Sequence, residues 1–467
     1  MRRPALLALA LLLWPVCGFA SAPILSRTLH NGLEVVVVEV PSSPLVTVEV
    51  AVRSGAMTEG PESNGLSHLL EHLFFKPNAA LPDVDTYNAR VRGMGMASNA
   101  TTDTEHVNAF VTTTADHLAD AMEFLRDALV TPKFDEGELA RERVAVTQEM
   151  DRAESDPLYH LSHAIDTQLW WKYPSRKDAL GNRKTVLSAT VEQLRTLRER
   201  YYVPNNSVLV VTGGVKAEAV FSLAVKLYGA WKPSSENPYR GHPLVHHPPL
   251  PKTKLVLVEQ PVAAVTGEFA WHGPSTVGPD VELTYAADLQ TVALQQPAGR
   301  FQRALVESGV CLEASFSWFT QRNTGPIQLQ FAATPEKALA CISAIQAELQ
   351  KMAEPDYLGR EELHDAQHQL QVERALDIEQ PSELAHTLSF WWTTAGLDYY
   401  RGYLERTRAV TQADIARYMR SYVLGQPYIL GVMLSKAMEA HGLSRPTLER
   451  LAVPIQAAAP AHAAVTP

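Results

Sequence analysis

Two stretches of this chain repeat the same residue pattern 221 positions apart, and no other feature limits the fold so strongly. In each stretch a Thr precedes a helical apolar pattern, which leads into a short apolar run. The matching pairs are Thr190 and Thr411, Leu194 and Ile415, Tyr201 and Tyr422, Val208 and Ile429, Leu209 and Leu430, and Val211 and Val432. Because Thr often caps a helix and short apolar runs fit buried strands, each copy predicts a helix followed by a strand. We favour a tandem duplication of one domain of roughly 210 residues over a chance similarity of two helix–strand units.

The order of the predicted elements is the same in both halves: strands, then a series of helices, then a last strand. In the first half the predicted strands cover 33–40, 45–53, 96–102, 105–113 and 207–212, and the helices cover 65–75, 83–92 and 115–202. In the second half the strands cover 254–258, 265–271, 312–320, 326–332 and 428–433, and the helices cover 280–307 and 335–424. The sequence therefore predicts an α+β fold of two tandem homologous domains, each an antiparallel-rich sheet covered by helices.

A proline-rich stretch separates the two halves. Residues 233–252 contain six prolines and no apolar periodicity, which predicts a linker. The two domains then cover 23–232 and 253–453, and the Ala/Pro-rich residues 454–467 are expected to form a disordered tail. Three histidines of the linker are expected to be exposed loop side chains rather than metal ligands: His242, His246 and His247.

The N-terminus has the pattern of a secretory signal. Arg2 and Arg3 precede an apolar run over 5–14, and small residues follow it. We expect residues 1–20 to be removed, with a cut after residue 22 as the alternative. The chain is then exported, and periplasmic if its source is bacterial.

Charge and cysteine content narrow the class of protein further. The chain carries 41 basic and 51 acidic residues, a net charge of −10, which argues against nucleic acid as the main partner. Beyond the signal, no stretch approaches the ~18 apolar residues of a membrane span. Of the three cysteines, Cys311 and Cys341 follow the signal; a disulfide between them cannot be deduced, and two buried thiols are favoured.

The segment that carries chemistry is His68-Leu69-Leu70-Glu71-His72. On a helix, His68, Glu71 and His72 fall within about a 100° arc of one face. Two imidazoles one turn apart can share a tetrahedral zinc, and the carboxylate between them can take a proton from zinc-activated water. H-x-x-E-H is the inverted zinc-peptidase signature. The motif alone is suggestive, and two core-facing histidines are the alternative.

A catalytic zinc needs a third protein ligand, and Glu149 is the candidate. Glu142 and Glu149 are seven residues apart, so both project from one face of a predicted helix, two turns from each other. One could bind metal while the other orients a ligand histidine. The residue pattern alone does not separate these two from Glu123 or Glu138, or from an ordinary solvated acidic face.

The stretch from Gly65 to Lys76, GLSHLLEHLFFK, resembles the zinc helix of the pitrilysin, insulinase and mitochondrial-processing-peptidase metallopeptidases, in a half-length bacterial form. Glu149 stands 77 residues after His72, which is the family's spacing for the third ligand. The resemblance continues at Asn99-Ala100-Thr101-Thr102 and from Pro204 to Gly213, and it spans nearly the whole chain after the signal. It implies two related α+β domains that form half of a clamshell around a closed chamber.

The resemblance assigns roles residue by residue. His68, His72 and Glu149 would hold one Zn2+ per chain, Glu142 would support a ligand histidine, and Glu71 would act as general base and later proton donor. A peptide would add as a strand along Asn99, Ala100, Thr101 and Thr102. The implied activity is that of an exported zinc endopeptidase or oligopeptidase acting on peptides or unfolded segments.

One departure from the family concerns an Arg and a Tyr that contact substrate and the transition state. An alignment on Gly309 places Leu305 and Leu312 at their positions. Two apolar side chains cannot stabilise an oxyanion. We therefore expect a homologous partner chain without the zinc motif to supply the pair in a heterodimer, with a homodimer as the second choice. A non-catalytic zinc- or peptide-binding assembly subunit of the same fold is the alternative function.

Weaker candidates are expected to be structural. His364 and His368 are four residues apart on a predicted helix, but no third ligand is evident, and a solvated helix face is favoured. The pairs Trp170-Trp171 and Trp391-Trp392 are expected to pack rather than to form a substrate platform.

Overall fold

The computed structural model describes residues 23–457. The expected signal peptide and residues 458–467 of the expected tail lie outside the described residues. No helix among residues 23–457 is both long and apolar enough to cross a membrane.

The first half contains six strands and eight α-helices in the described chain. In order they are β1 (Leu25–Thr28), β2 (Glu34–Glu39), β3 (Leu45–Val52), α1 (Leu66–Glu71), α2 (Val84–Met94), β4 (Ala97–Thr102), β5 (Val107–Thr114), α3 (Leu118–Val130), α4 (Glu136–Glu154), α5 (Pro157–Leu169), α6 (Arg183–Ser188), α7 (Val191–Tyr201), β6 (Ser207–Gly213) and α8 (Ala217–Tyr228).

The second half repeats this order without a counterpart of β1. Its elements are β7 (Lys254–Glu259), β8 (Val265–His272), α9 (Glu282–Gln295), α10 (Arg300–Gln302) with a following π turn (Arg303–Glu307), β9 (Glu313–Trp318), β10 (Pro326–Ala333), α11 (Ala338–Lys351), α12 (Arg360–Glu379), α13 (Pro381–Thr394), α14 (Leu397–Ala409), α15 (Gln412–Tyr422), β11 (Ile429–Leu434) and α16 (Arg445–Leu451).

The two sheets have the same topology. The first has the strand order β1-β2-β6-β3-β5-β4, and the second has the order β7-β11-β8-β10-β9. In each sheet one pair of neighbours is parallel, β2 with β6 and β7 with β11, and the other pairs are antiparallel. The α+β class and the duplication predicted from the sequence are confirmed.

The repeated threonines begin the last helix of each half. The Thr190 side chain caps α7 and the Thr411 side chain caps α15, and in both cases the third helical residue, Gln193 or Asp414, bonds back to the cap. This reciprocal cap satisfies two backbone N–H groups that the helix start leaves free. Each capped helix then leads into a fully buried strand, β6 or β11.

Each sheet is covered on one face by helices of its own half and on the other by a helix of the other half. α13 packs on β3 and β6 of the first sheet, while α5 packs on β7, β8 and β11 of the second. The contact of α13 buries apolar side chains that include Val36, Val210, Leu388 and Trp392. The contact of α5 buries a second set that includes Leu161, Ile165 and Trp170. The two halves therefore exchange one helix each.

The tryptophan pairs lie at these exchanged contacts. Trp170 and Trp392 are buried, and Trp391 packs against the second core, as expected for packing residues. Trp171 differs, because 43% of it is exposed. It follows α5, which ends at Leu169, and its ring lies outside the apolar contact.

The proline-rich residues 233–252 form neither helix nor strand, yet they lie against the junction of the two halves. The Tyr239 hydroxyl donates a hydrogen bond to the Arg53 carbonyl at 2.7 Å. His242 and His246 are exposed as expected, but His247 is half-buried, with its ring edge on Trp170 at 4.8 Å. Burial lowers the pKa of His247 to about 3. The expectation of an exposed loop side chain is wrong there, because the linker uses its few ring and apolar side chains for packing.

Two expectations about the second half need correction. Cys311 and Cys341 are bonded, with an S–S distance of 2.00 Å, so they are not two thiols. The bond joins the start of β9 to α11, a proximity that the sequence separation of 30 does not reveal. The first residues of the expected tail are ordered: Ile455 is buried in the second core, and its carbonyl accepts a hydrogen bond from Gly425 at 2.7 Å.

Candidate metal centre

Helix α1 is short and is positioned by close backbone contacts at its start. Gly65 caps it with a φ of +96°, in the left-handed region that favours glycine. A Cβ on the neighbouring Gly181 would lie 2.2 Å from the Gly65 Cα, so the two segments touch backbone to backbone. Leu69 and Leu70 are buried below the helix, which leaves His68, Glu71 and His72 on another face.

A buried carboxylate fixes the first turn of α1. Glu59 is 1% exposed and accepts hydrogen bonds from the backbone N–H groups of Gly65 at 2.7 Å and Ser67 at 2.6 Å. Burial raises the pKa of Glu59 to about 7, although these hydrogen bonds act in the opposite direction. The sequence pattern around Glu59 does not indicate this role. Glu59 lies six positions before the capping Gly65 and so matches no local capping pattern, because in those patterns the acid is the cap itself or lies within the first turn.

Three donor atoms from α1 and α4 converge on one point. His68 Nε2 lies 3.4 Å from Glu149 Oε2, His72 Nε2 lies 3.6 Å from the same oxygen, and the two Nε2 atoms are 3.3 Å apart. Bonds of about 2.0–2.2 Å to a tetrahedral zinc place neighbouring ligand atoms about 3.3–3.6 Å apart. The donor set therefore fits zinc in both chemistry and spacing. Within residues 23–457, this is the one such group of three His, Cys, Asp or Glu side chains.

Glu142 orients one of the histidines. Its Oε2 accepts a hydrogen bond from His72 Nδ1 at 3.0 Å, and Lys76 Nζ pairs with its Oε1 at 2.7 Å. A proton on Nδ1 leaves Nε2 of His72 free to bind metal, which is the usual second-sphere arrangement. The two acids, seven residues apart on α4, therefore have different contacts. Glu149 lies beside His68 Nε2 and His72 Nε2, and Glu142 lies beside His72 Nδ1.

Burial also sets the protonation of two side chains on α1. Burial and the neighbouring His72 lower the pKa of His68 against the attraction of Glu149, which favours the neutral imidazole that binds metal. Burial raises the pKa of Glu71, and a hydrogen bond to the Thr102 side chain and the charge of His72 act against that shift. A raised pKa makes Glu71 a better proton acceptor at neutral pH.

The expected substrate strand is β4, and it lies at the edge of the first sheet beside α1. Asn99 is exposed, Ala100 points into the core, and Thr102 lies next to Glu71. The outer edge of β4 pairs with no other strand of the described chain, so an added strand can pair along it. The structure therefore brings one end of this strand beside Glu71.

Other candidates from the sequence do not reach the centre. Leu305 is fully buried in the second core and Leu312 is 56% exposed, so neither position offers a polar contact. His364 and His368 lie exposed on α12, as expected for a solvated helix.

Comparison with known proteins identifies the two halves. Residues 34–181 match the family model described as Insulinase (Peptidase family M16). Residues 188–370 match the model described as Peptidase M16 inactive domain. The first match contains every candidate ligand and Glu71.

Curated relatives and solved structures agree with these matches. The chain is 27% identical to the zinc protease PqqE of Helicobacter pylori over 47% of this chain and 50% of the relative. It is 29% identical to a probable mitochondrial-processing peptidase subunit beta of Arabidopsis thaliana over 54% of this chain and 47% of the relative. The matched part thus spans about half the length of these curated relatives.

Among solved structures, a protease from Helicobacter pylori superimposes with a TM-score of 0.79 at 20% identity, over 88% of this chain and 99% of the other. A putative M16-like peptidase from Alicyclobacillus acidocaldarius gives a TM-score of 0.76 at 19% identity, over 89% of this chain and 99% of the other. These two similarities concern the fold. Taken with the family models that cover both halves, they show that this chain belongs to the insulinase family of peptidases, M16.

Proposed function

We propose that this chain is a zinc-dependent endopeptidase or oligopeptidase that cleaves peptides or unfolded segments, with Glu71 as general base. The observation that carries the proposal is the convergence of His68 Nε2, His72 Nε2 and Glu149 Oε2 within 3.3–3.6 Å, with Glu71 on the same helix. The name of the zinc protease relative in Helicobacter pylori supports the same chemistry.

Different residues of the chain bind the peptide, hold the metal and transfer the proton. A peptide adds along β4 by backbone hydrogen bonds, which demand little of its sequence. His68, His72 and Glu149 hold the metal, and Glu142 fixes the tautomer of His72. A bound zinc ion supplies a Lewis acid that polarises the peptide carbonyl and lowers the pKa of water. Glu71 accepts the proton of the attacking water and then donates it to the leaving amine, and its raised pKa suits both transfers.

A second, homologous chain completes the enzyme in this proposal. Leu305 and Leu312 provide no group that could stabilise a developing oxyanion. Relatives named as subunit beta of the mitochondrial-processing peptidase support an assembly of several chains. We therefore infer a heterodimer in which the partner supplies an Arg/Tyr pair and the other half of a clamshell, with a homodimer as the second choice.

Export is part of the same proposal. The secretory pattern of residues 1–20 supports it, and so does the bond between Cys311 and Cys341. Disulfides persist in oxidising compartments and are rare in the cytosol.

The test is the substitution Glu71→Gln in the full chain, assayed alone and with a homologous partner chain on internally quenched peptides. Removal of a general base costs about 10²–10⁴-fold in rate, while the three zinc ligands remain. We expect one bound zinc per chain and nearly complete loss of cleavage. Glu192→Gln, at an exposed position of α7, is the control and should cleave at the wild-type rate. Wild-type cleavage by Glu71→Gln contradicts the assignment.

The second candidate function is a non-catalytic zinc- or peptide-binding assembly subunit. Burial of Leu305 and exposure of Leu312, where catalytic relatives carry an Arg and a Tyr, favour it. One zinc per chain with no cleavage in either assay, alone or with the partner, would support this function over the first.

A further inference from the structure

A buried carboxylate lies at the contact between the first sheet and α13. Glu49 on β3 is fully buried and faces the exchanged helix. His386 Nδ1 lies 2.5 Å from Glu49 Oε2, and the Ser389 hydroxyl donates to Glu49 Oε1. Both partners belong to α13, so a side chain of the first half is held by two groups of the second half.

The same carboxylate is connected to the edge strand β4. Asn108 on β5 donates a hydrogen bond from Nδ2 to Glu49 Oε1 at 2.7 Å. The Thr101 hydroxyl on β4 donates to Asn108 Oδ1. Thr101 and Asn108 are directly opposite each other in the β4–β5 register. An unbroken set of hydrogen bonds therefore runs from α13 through Glu49 and Asn108 to Thr101.

The second sheet repeats the first part of this arrangement but not the last. Glu268 is buried on β8, and Gln328 on β10 donates to its Oε1 at 2.8 Å, as Asn108 does to Glu49. Ser317 on β9 lies opposite Gln328, the place that Thr101 has opposite Asn108. Among the described residues, the Ser317 hydroxyl makes no hydrogen bond to the Gln328 side chain, which bonds to Glu268. The buried pair of a Glu and a side-chain amide is thus common to both halves. The further hydrogen bond from the amide to the edge strand is found in the half that carries the three donor side chains.

We propose that Glu49 is a positioning residue for peptide binding: through Asn108 and Thr101 it holds β4 in the conformation that accepts a peptide strand. The proposal rests on the proposed function, because it takes β4 as the peptide-binding edge. An edge strand that is already ordered loses less conformational entropy when a peptide pairs with it, so its affinity is higher.

The protonation of His386 is consistent with this role. Burial alone would lower the pKa of His386, but the hydrogen bond to Glu49 and the charges of Glu49 and Glu383 together raise it. His106, just before β5, also faces this cluster, at 3.5 Å from the Ser389 hydroxyl, and burial lowers its pKa. A charged His386 paired with a buried carboxylate makes a stronger bond than two neutral groups would.

The experiment compares Glu49→Gln with Glu268→Gln in the full chain. Hydrogen exchange of the β4 amides is measured without peptide, followed by KM and kcat on a quenched peptide. We expect Glu49→Gln to speed exchange in β4 and raise KM, each by roughly three- to tenfold, as loss of one buried hydrogen bond would. We expect kcat and zinc content to stay unchanged. Glu268→Gln removes the equivalent carboxylate and should leave exchange in β4 at the wild-type rate.

Thr101→Val keeps the inference testable if Glu49→Gln fails to fold, because it removes only the last hydrogen bond of the set. It should speed exchange in β4 to a similar degree. Wild-type exchange in β4 of a folded Glu49→Gln, or equal acceleration by Glu268→Gln, would overturn the inference. If the wild-type chain cleaves no peptide either alone or with a homologous partner chain, the proposed function fails, while the exchange comparison still decides whether Glu49 orders β4.

Discussion

The two halves share a sheet topology but differ at the position of the three converging donor side chains, His68, His72 and Glu149. The offset of 219 that relates β3 to β8 places Ala287, Gln290 and Thr291 of α9 at the positions of His68, Glu71 and His72, with Asp288 beside the first of them. Asp288 is half-buried and accepts a hydrogen bond from the Tyr403 hydroxyl at 2.8 Å. One half thus carries two histidines and a glutamate at these positions, and the other carries none of these side chains there, with a hydrogen-bonded acid beside them.

The helices themselves explain part of this difference. α1 has six residues and starts at the tight contact of Gly65 with Gly181, whereas α9 has 14 residues and nine of them are buried. A longer, more buried helix leaves a smaller share of its side chains accessible. The sheets and their exchanged helices are therefore common to both halves. The three donor side chains occur in the half whose corresponding helix is the shorter one.

The first prediction, a complete loss of binding, concerns zinc itself. His72→Ala should remove the bound zinc from the full chain, because it deletes one of three converging ligands. Zinc at a hundredfold excess over its dissociation constant stabilises a folded protein by about 2.7 kcal/mol, so the wild-type melting temperature should rise on zinc addition. Metal content and thermal melts with and without zinc measure both effects.

The control for zinc binding is His368→Ala, which changes one of two exposed histidines four residues apart on α12. It should keep one zinc per chain and the full rise in melting temperature. Zinc-dependent stabilisation that survives His72→Ala but is lost in His368→Ala would place the metal in the second half and break the comparison.

A second prediction uses Asp288 to sharpen the contrast. Burial raises the pKa of Asp288 to about 7, with the hydrogen bonds of Tyr403 and Thr320 acting against the shift. The folded state then holds a proton that the unfolded chain loses above about pH 4. The stabilisation is fully present below that pH and is lost as pH rises to 7, by roughly 4 kcal/mol in all.

Asp288→Asn should therefore flatten the fall in unfolding free energy between pH 5 and pH 8, because Asn keeps the neutral form. Urea unfolding at several pH values, with a chelator present throughout, measures this. Asp151→Asn, at an exposed position of α4, should keep the wild-type slope. An unchanged slope in Asp288→Asn would mean that this acid is ionised in the folded protein.

The third prediction concerns the disulfide, which the described first half lacks. Reduction of Cys311–Cys341, or Cys311→Ser with Cys341→Ser, should destabilise the second half by about 3–4 kcal/mol, the value for closing a loop of 30 residues. Amide exchange in β9 and α11 should accelerate more than exchange in β4 and α3. Equal acceleration in both halves would show that the two unfold as one unit.

Much of the fold could be predicted from local pattern. The two capping threonines and the apolar runs after them located the repeat, and most strand limits differ from the prediction by one or two residues. The exchange of α5 and α13 could not be predicted. Strands such as β2, with four buried valines in succession, indicate that both faces are covered but not which helix covers them.

The candidate site, like the fold, could be predicted from the sequence only in part. Helical spacing alone put His68, Glu71 and His72 on one face, whereas the choice of Glu149 over other acids needed the family resemblance. Glu59 could not be found, because its role depends on a chain reversal between residues 59 and 65. Asp288 and the cysteine pair depend on contacts between distant elements, which spacing does not record.

The exchange of helices has a consequence for the newly made chain. The outer face of the first sheet, with Val36, Val38, Val208 and Val210, is complete once β6 has been synthesised, but its cover, α13, ends about 180 residues later. At roughly 5–20 residues per second, that apolar surface stays uncovered for about 9–36 s. During synthesis the first half is therefore a natural client for a chaperone, and its final packing must wait for the second.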